Sequence, residues 1–462
     1  MSHHHAKKRG RGRMILLWAL AFIAVVFAVT ALVKVLDKTF IDKPGQTASD
    51  GGSTQTGGDA GESGGDGTDG QTGSSEPNPT EEELSQQRKT LLDECDLLRR
   101  GYFYDEAIDK LKNAGTLQNT ETDALLQKVL SEQSALVPYD LTTSTSYHVF
   151  FHSLIVDTSK AFDGDDMEAG YNMYMTTVSE FQKMLPLLQK NGFILYNIMD
   201  MVDYQNGKVT PKTVYLPAGK KPLVLSIDDV DYYKYMQADG FASRLDVDDQ
   251  GNVVTVVKDD AGVEHMTYDG DVMPILDAYV KEHPEFSWQG AKGIVATTGY
   301  QGAFGYRITD LDDYDAATQK QMLDKVTAVA KALRATGWEI ANHSYTHNQY
   351  WNNKTMTMEQ CKYDTGRWVN EIMPYVGETH IFISPFGVSF DQDDARFQYL
   401  LDNGFYIYCP VDSNMPMRWH DDNVIQGRLN LDGITMMKYP ERVSKYFFDP
   451  AQVLDPARPP MN

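Results

Sequence analysis

Short apolar runs and longer amphipathic segments alternate along the chain from Ser146 onward. The short runs are rich in β-branched and aromatic residues, as buried strands are: YHVFFHSLIV, ILYNIMDMV, KPLVLSI, AKGIVATTG, WEIANH, HIFISPFG, FYIYCP and GITMM. The longer segments place their apolar residues on one helical face: TTVSEFQKMLPLLQKNGF, AATQKQMLDKVTAVAKALRATG and EQCKYDTGRWVNEIMPYV. Such alternation predicts an α/β fold with a parallel sheet, here a (β/α) barrel with its functional residues at the carboxyl ends of the strands.

Two segments differ from this alternation. Residues 81–137 carry three amphipathic helices, and the spacing of Gly101, Tyr104 and Ala107 is similar to that of a single tetratricopeptide unit. We expect this helical segment to serve as a spacer or as the docking site of a protein partner. An insertion at about residues 239–287 contains RLDVDDQGNVVTVVKDDAGVEHMTYDGD, which predicts a β-hairpin with a polar turn.

The first 80 residues differ in composition from the rest of the chain. Residues 14–33 carry no charge over a length that crosses a bilayer, so a membrane anchor is predicted at residues 14–36, and residues 1–13 before it are basic. The positive-inside rule then predicts a single-pass anchor in the plasma membrane, with a cytoplasmic N-terminal tail and an extracellular remainder. A cleaved signal peptide is the alternative. Residues 37–80, rich in Gly, Ser, Thr and Asp, predict a disordered linker, and residues 138–462 the main domain.

Charge and cysteine content exclude two classes of protein. The net charge is −23, and so acidic a surface repels phosphate backbones, which argues against nucleic-acid binding. There are three cysteines, Cys95, Cys361 and Cys409, too few for a disulfide framework in a chain of this length. Whether Cys361 and Cys409 form a disulfide stays open at this point.

Two clusters of polar residues follow predicted strands. The run KPLVLSI ends at Asp228 and Asp229, and two adjacent carboxylates at the end of a buried strand repel each other unless a cation or a proton lies between them. The strand WEIANH ends in His343, with His347 four residues later, a spacing that lets two imidazoles bind one metal ion. A solvated turn and two ordinary surface histidines are the alternatives.

Taken together, LVLSIDDV and ATGWEIANHSYTH resemble the two principal motifs of the polysaccharide deacetylase family, the NodB-type domain of the family four carbohydrate esterases. The resemblance covers about residues 146–438. It implies a distorted parallel barrel of NodB type, with Asp229, His343 and His347 as metal ligands and Asp228 as the catalytic base. Zinc suits such ligands best, and cobalt, nickel and iron tolerate the same set.

A third family motif is present in altered form as Ile383-Ser384-Pro385-Phe386-Gly387. The resemblance implies that the Phe386 N–H, with Pro385 beside it, stabilises the oxyanion, although a plain strand-to-loop turn is the alternative. Two departures are clear. The arginine that steadies the base in the family is Ile383 here, and the usual C-terminal Leu-x-His is missing from GRLNLDGITMMKYP.

The strand YHVFFHSLIVD before the Asp-Asp strand is similar to the layout of poly-N-acetylglucosamine deacetylases, in which a histidine on that strand supplies the general acid. This resemblance implies His152 as the acid, with His148 as second choice, and Asp412 as the residue that orients it. A structural strand-end histidine is the alternative. Phe386 and three further aromatic residues are candidates for stacking on sugar rings, although they are as typical of a core: Trp419, Tyr232 and Tyr233.

These observations predict a membrane-anchored, extracellular enzyme that uses a divalent metal ion to remove acetyl groups from N-acetylated amino sugars. The expected substrate is cell-wall peptidoglycan or a secreted polysaccharide. An O-acetyl polysaccharide esterase on the same scaffold is one alternative. A glycan-binding or scaffold protein of the cell envelope with impaired catalysis is the other.

Overall fold

The computed structural model of the chain describes residues 79–352 and 354–461. The predicted tail, membrane anchor and nearly all of the linker lie outside the described residues. Among the helices of the described part, none is both long and apolar enough to cross a bilayer.

The described part contains seventeen strands and fourteen α-helices, connected by short turns and 3₁₀ segments. The strands are β1 (Val137–Tyr139), β2 (Tyr147–Phe151), β3 (Phe193–Leu195), β4 (Val202–Gln205), β5 (Lys208–Pro211), β6 (Val214–Leu216), β7 (Lys221–Ile227), β8 (Arg244–Val247), β9 (Val253–Lys258), β10 (Glu264–Thr267), β11 (Ile294–Thr297), β12 (Glu339–Asn342), β13 (Ile381–Ile383), β14 (Ile407–Cys409), β15 (Met417–Trp419), β16 (Val424–Gln426) and β17 (Leu429–Asn430). The helices are α1 (Glu81–Arg100), α2 (Tyr104–Lys112), α3 (Thr120–Ser134), α4 (Thr158–Ala161), α5 (Glu168–Tyr174), α6 (Val178–Lys190), α7 (Val272–Glu282), α8 (Ala316–Ala335), α9 (Gln349–Asn352), α10 (Met358–Arg367), α11 (Met373–Val376), α12 (Ala395–Asp402), α13 (Gly433–Lys438) and α14 (Pro440–Ser444).

A curled sheet of ten strands forms the centre of the fold. Its strand order is β15-β16-β14-β13-β12-β11-β7-β2-β17, with β3 also paired to β7, and every pair except β15–β16 is parallel. The sheet curls into a half-barrel. The strands β16 and β17, near opposite ends of this order, are separated by only Gly427 and Arg428. The structure therefore confirms the predicted α/β class and its mainly parallel sheet.

A hydrophobic core covers each face of the sheet, which explains why the sequences of its strands are continuous apolar runs. On β7, Leu223 and Leu225 pack in one hydrophobic core with residues of α6 and α8, whereas Val224 points to the other face and joins a second core. The next residues on that second face are Ser226 and Asp228. The alternation of side chains along β7 thus places Ser226 and Asp228 on this second face, at the carboxyl end of the strand.

The N-terminal helices belong to that second core. Cys95 of α1 and Tyr104 of α2 are buried in it, and Tyr102 between the two helices stacks on Trp288 with ring centroids 4.9 Å apart. Arg100 at the end of α1 donates to Glu285 at 2.7 Å. The described residues form one compact unit, and the helical segment is built into it. Its predicted binding to a protein partner stays a prediction.

Two elements differ from the sequence prediction. The insertion is larger than a hairpin, because β8, β9 and β10 form a three-stranded antiparallel sheet and α7 follows them. The predicted strand GITMM is wrong, since these residues form most of α13. The Asp432 side chain accepts from the Thr435 N–H and caps this helix, a local signal that overrides the β-branched composition of the run.

Candidate active site

The candidate residues lie together because their strands are neighbours in the sheet. Asp228 and Asp229 follow β7, His343 follows β12, and His152 follows β2. Phe386 belongs to the turn after β13. Since these strands are parallel and run in the order β13-β12-β11-β7-β2, their carboxyl ends meet at one edge. The candidate residues thus lie at the carboxyl ends of the strands, the edge at which functional residues were expected.

Three side chains form a possible metal-binding triad. One ligand atom each of Asp229, His343 and His347 lies within 4.8 Å of the other two. The Asp229 Oδ1 atom is 3.7 Å from the Nε2 atoms of both histidines. These distances are too long for hydrogen bonds. They fit a shared ion, because zinc holds its ligands at roughly 2.0–2.2 Å, which places tetrahedral ligand atoms roughly 3.4 Å apart.

One hydrogen bond orients the His343 ring, and another holds the backbone of His347. The Nδ1 atom of His343 is 2.8 Å from the carbonyl oxygen of Ile383. A carbonyl only accepts, so Nδ1 carries the proton and Nε2 keeps its lone pair for a cation. His347 is held through its backbone N–H, which donates to the Ser344 Oγ at 2.9 Å. Asp229 and His347 have φ angles of 58° and 42°, which is uncommon for residues other than glycine and often found at functional sites.

The surroundings favour an ionised Asp229 and a neutral His347. Burial opposes ionisation of Asp229, but His347, His343, His152 and the Tyr233 hydroxyl outweigh burial and lower the pKa of Asp229 to about 2. That hydroxyl donates to Asp229 Oδ1 at 2.7 Å. Burial also lowers the pKa of His347, which favours the neutral imidazole. An ionised carboxylate and neutral imidazoles are what a divalent ion requires, so the donor set fits a metal.

Arg428 is a residue of the candidate site that sequence reasoning missed. Its side chain is fully buried, and its Nη1 atom donates to the Asp228 Oδ1 at 2.7 Å and to the Ser226 Oγ at 3.2 Å. The Asp228 Oδ2 atom is left facing the triad, 4.0 Å from His343 Nε2. Arg428 therefore supplies, from the segment between β16 and β17, the cation that Ile383 lacks. The signal for it was a lone arginine in the otherwise uncharged run VIQGRLNL.

His152 lies at the edge of the triad. Its Nδ1 atom is 3.1 Å from the carbonyl oxygen of Tyr174, which leaves Nε2 free for another partner. Together with Asp229 it lines a small cavity of about 50 Å³. The second candidate, His148, is buried, its Nε2 atom is 3.0 Å from the Ser226 Oγ, and it is not among the residues lining this cavity.

The structure gives Asp412 partners other than His152. Its carboxylate accepts from Arg418 at 3.0 Å and from the backbone N–H of Asn414 at 3.1 Å. Two other carboxylates interact electrostatically with His152: that of Asp229, and that of Asp432, which is buried and caps α13. Asp432 is thus better placed than Asp412 to influence the acid, and the motif comparison gave no indication of it.

Phe386 occupies the turn expected from the third motif. It has a φ of 55°, a strained value for a bulky residue, and its ring packs on that of His347 with centroids 4.4 Å apart. Within the described part of the chain its N–H has no hydrogen-bond acceptor, so this donor is available to a ligand. Pro385 before it is buried and fixes the turn.

Three aromatic candidates for sugar stacking have structural contacts instead. Tyr232 is buried, and its hydroxyl donates to Asp271 at 2.6 Å. Tyr233 is also buried and donates to Asp229. Trp419 packs against the second core. Phe386 is the most exposed of the four candidates, with 39% of its surface accessible to solvent.

Comparison with known proteins leaves the family open. No family model matches the chain, and no curated protein matches it either. The resemblance to the polysaccharide deacetylases therefore rests on the sequence motifs and stays a prediction.

Proposed function

We propose that this protein is a metal-dependent hydrolase that removes acetyl groups from N-acetylated amino sugars of peptidoglycan or of a secreted polysaccharide. The observation that carries the proposal is the arrangement of a triad of Asp229, His343 and His347 beside a second carboxylate, Asp228, and a further histidine, His152. A zinc-type hydrolase needs these groups: three ligands with an open position, a base and an acid.

The two aspartates have different tasks in this proposal. A divalent ion on the triad would lower the pKa of a bound water and polarise the acetyl carbonyl. Asp228 is the base: Arg428 engages its Oδ1 atom, and its Oδ2 atom faces the triad and accepts the proton of the attacking water. The Phe386 N–H donates to the oxyanion that develops on the carbonyl oxygen.

His152 completes the reaction as the acid. The water oxygen forms a bond to the acetyl carbon, the carbon–nitrogen bond breaks, and protonated His152 gives a proton from Nε2 to the departing nitrogen. Acetate and a free amino sugar result. The carbonyl of Tyr174 holds the other ring nitrogen and so aims Nε2 away from the backbone. An amide nitrogen is a poor leaving group, so this step depends on the acid more than the hydrolysis of an ester does.

The cavity beside His152 suits the acetyl group. Its volume of about 50 Å³ has room for roughly four water-sized groups, enough for the three heavy atoms of an acetyl group. The apolar part of its wall consists of Met175, Met236, Phe241 and Ala242. We infer that the methyl group lies against this wall.

Other parts of the proposal follow from the sequence. The fold would be the distorted barrel of NodB type, zinc would be the metal, and the chain would be anchored in the plasma membrane through residues 14–36 with the catalytic domain outside. The substrate partner is then a cell-envelope glycan.

An assay with two substrates tests the proposal. The zinc-loaded full chain is given an N-acetylglucosamine oligosaccharide and, separately, an aryl acetate whose leaving group needs no acid. We expect Asp228→Asn to lose both activities, and His152→Ala to lose about 10²- to 10⁴-fold on the amide while keeping most of the activity on the ester. His265→Ala, an exposed histidine of β10, is the matched control and should change neither.

Each other outcome has a definite meaning. Ester hydrolysis without acetate from any N-acetylated glycan would replace the proposal with an O-acetyl esterase. Bound zinc with no activity on either substrate would refute catalysis and leave a glycan-binding protein.

A further inference from the structure

Two exposed tyrosines stand next to the candidate active site. Tyr235 is 48% and Tyr300 is 38% exposed, although both residues belong to loops that are otherwise well packed. The ring of Tyr235 stacks on that of Tyr233 with centroids 5.7 Å apart and planes 11° apart, and Tyr300 contacts the same Tyr233 ring at 5.6 Å. We call Tyr233, Tyr235 and Tyr300 the tyrosine shelf.

A buried arginine fixes the two loops that carry this shelf. Arg307 donates from Nη1 to the carbonyl oxygen of Gln301 at 2.6 Å and to that of Asp231 at 3.0 Å, and from Nη2 to that of Tyr232 at 2.6 Å. In addition, the side chain of Gln301 accepts from the backbone N–H of Lys234 at 2.9 Å. The backbone that carries the tyrosines is therefore already fixed, and the protein would lose little conformational freedom when a ligand binds.

The shelf is continuous with the candidate active site. Tyr233 and Tyr235 line the same cavity as Asp229 and His152. The hydroxyl of Tyr233 donates to Asp229, so the buried member of the shelf contacts the triad directly. A molecule with its acetyl group in this cavity would extend across the faces of Tyr235 and Tyr300.

We propose that the tyrosine shelf binds a second hexopyranose ring of the glycan, adjacent to the sugar that is deacetylated. The inference rests on the proposed function. An aromatic face matches the C–H face of a pyranose, and the tyrosine hydroxyl remains in water, where it can bond the sugar hydroxyls. The net charge of −23 favours a neutral glycan, or one made cationic by deacetylation, over an anionic one. The shelf would make the enzyme selective for oligosaccharides over single sugars.

Binding measured without catalysis tests the shelf independently of the reaction. The full chain, freed of metal by a chelator, is titrated calorimetrically with N-acetylglucosamine and with its β-1,4- and β-1,6-linked tetramers. We expect Tyr235→Ala and Tyr300→Ala each to raise the Kd for a tetramer about 10-fold. Tyr300 is not among the residues that line the cavity, so Tyr300→Ala should also leave binding of the single sugar unchanged. Tyr235→Phe keeps the ring and should bind almost as the wild type does.

The control is Tyr215→Ala, because Tyr215 of β6 is also 48% exposed but is not a residue of the cavity. An equal tetramer Kd in the wild type and both alanine variants would overturn the shelf, as would a wild type that binds neither tetramer. Either result would assign these tyrosines to another occupant, such as a protein. Failure of the proposed function is seen separately, as the absence of acetate release by the zinc-loaded wild type.

Discussion

Removal of the Arg428 side chain should destabilise the protein strongly, because it leaves Asp228 as an uncompensated buried charge. The side chains of the pair are 0% and 5% exposed, and Arg428 Nη1 is 2.7 Å from Asp228 Oδ1. At this distance and an effective dielectric constant of about 20, the Coulomb attraction is about 6 kcal/mol. The cost of desolvating both ions offsets part of it. We therefore expect Arg428→Met to lower the free energy of unfolding by about 3–5 kcal/mol, as for other broken buried pairs.

A double-mutant cycle separates the charge pair from simple loss of packing. Urea unfolding of the metal-free wild type, Arg428→Met, Asp228→Asn and the double variant gives the coupling energy. The double variant contains no unpaired buried ion. We therefore expect it to lose about 2–3 kcal/mol less free energy of unfolding than the two single variants lose together. Arg428→Lys should recover only part of the stability, since Lys has no planar fork to reach Asp228, Ser226 and the Cys409 carbonyl together. If the two single losses add up to the loss of the double variant to within about 0.5 kcal/mol, the two charges are not coupled and the prediction is refuted.

Three further predictions concern the triad, a buried acid and the thiols. Asp229→Ala removes one of three candidate ligands, so zinc affinity in a chelator competition should fall by about 100-fold or more, and His265→Ala should leave it unchanged. Burial raises the pKa of Asp271 to about 6, so the folded state keeps a proton between pH 4 and 6 that the unfolded chain has released. Stability should therefore fall across this window as pH rises, by roughly 3 kcal/mol relative to Asp271→Asn in urea unfolding, and an opposite slope would contradict the prediction. The three cysteines are free and buried, so a thiol reagent should react with none of them in the native protein and with all three in denaturant. A single reactive thiol in denaturant would instead indicate a disulfide between Cys361 and Cys409.

The position of the site was predictable because its signals are local. The strand KPLVLSI and the pair Asp228 and Asp229 are contiguous, and His343 directly follows another apolar run. Parallel strands bring such ends to one edge without any knowledge of the loops. The same logic found α6 and α8, whose apolar residues follow a helical period over 13 and 20 residues.

Features that depend on distant contacts were not predictable in this way. Arg428 is 200 residues from Asp228, and nothing in its immediate sequence shows which carboxylate it will meet. The exposure of Tyr235 and Tyr300 depends on how two loops pack, and the sequence analysis named Tyr232 and Tyr233, which are buried, instead. GITMM was wrong because a short run with one β-branched pair does not distinguish a strand from a capped helix.

The stacking of Tyr102 on Trp288 has a consequence for the order in which the chain folds. The helices α1 to α3 are synthesised first, yet Arg100 meets its partner Glu285 only 185 residues later. At a synthesis rate of about 5–20 residues per second, the helices wait roughly 10–40 s with their aromatic side chains uncovered. During that interval the exposed side chains can bind chaperones or associate wrongly, so the helical segment completes its packing only after a much later part of the chain has been synthesised.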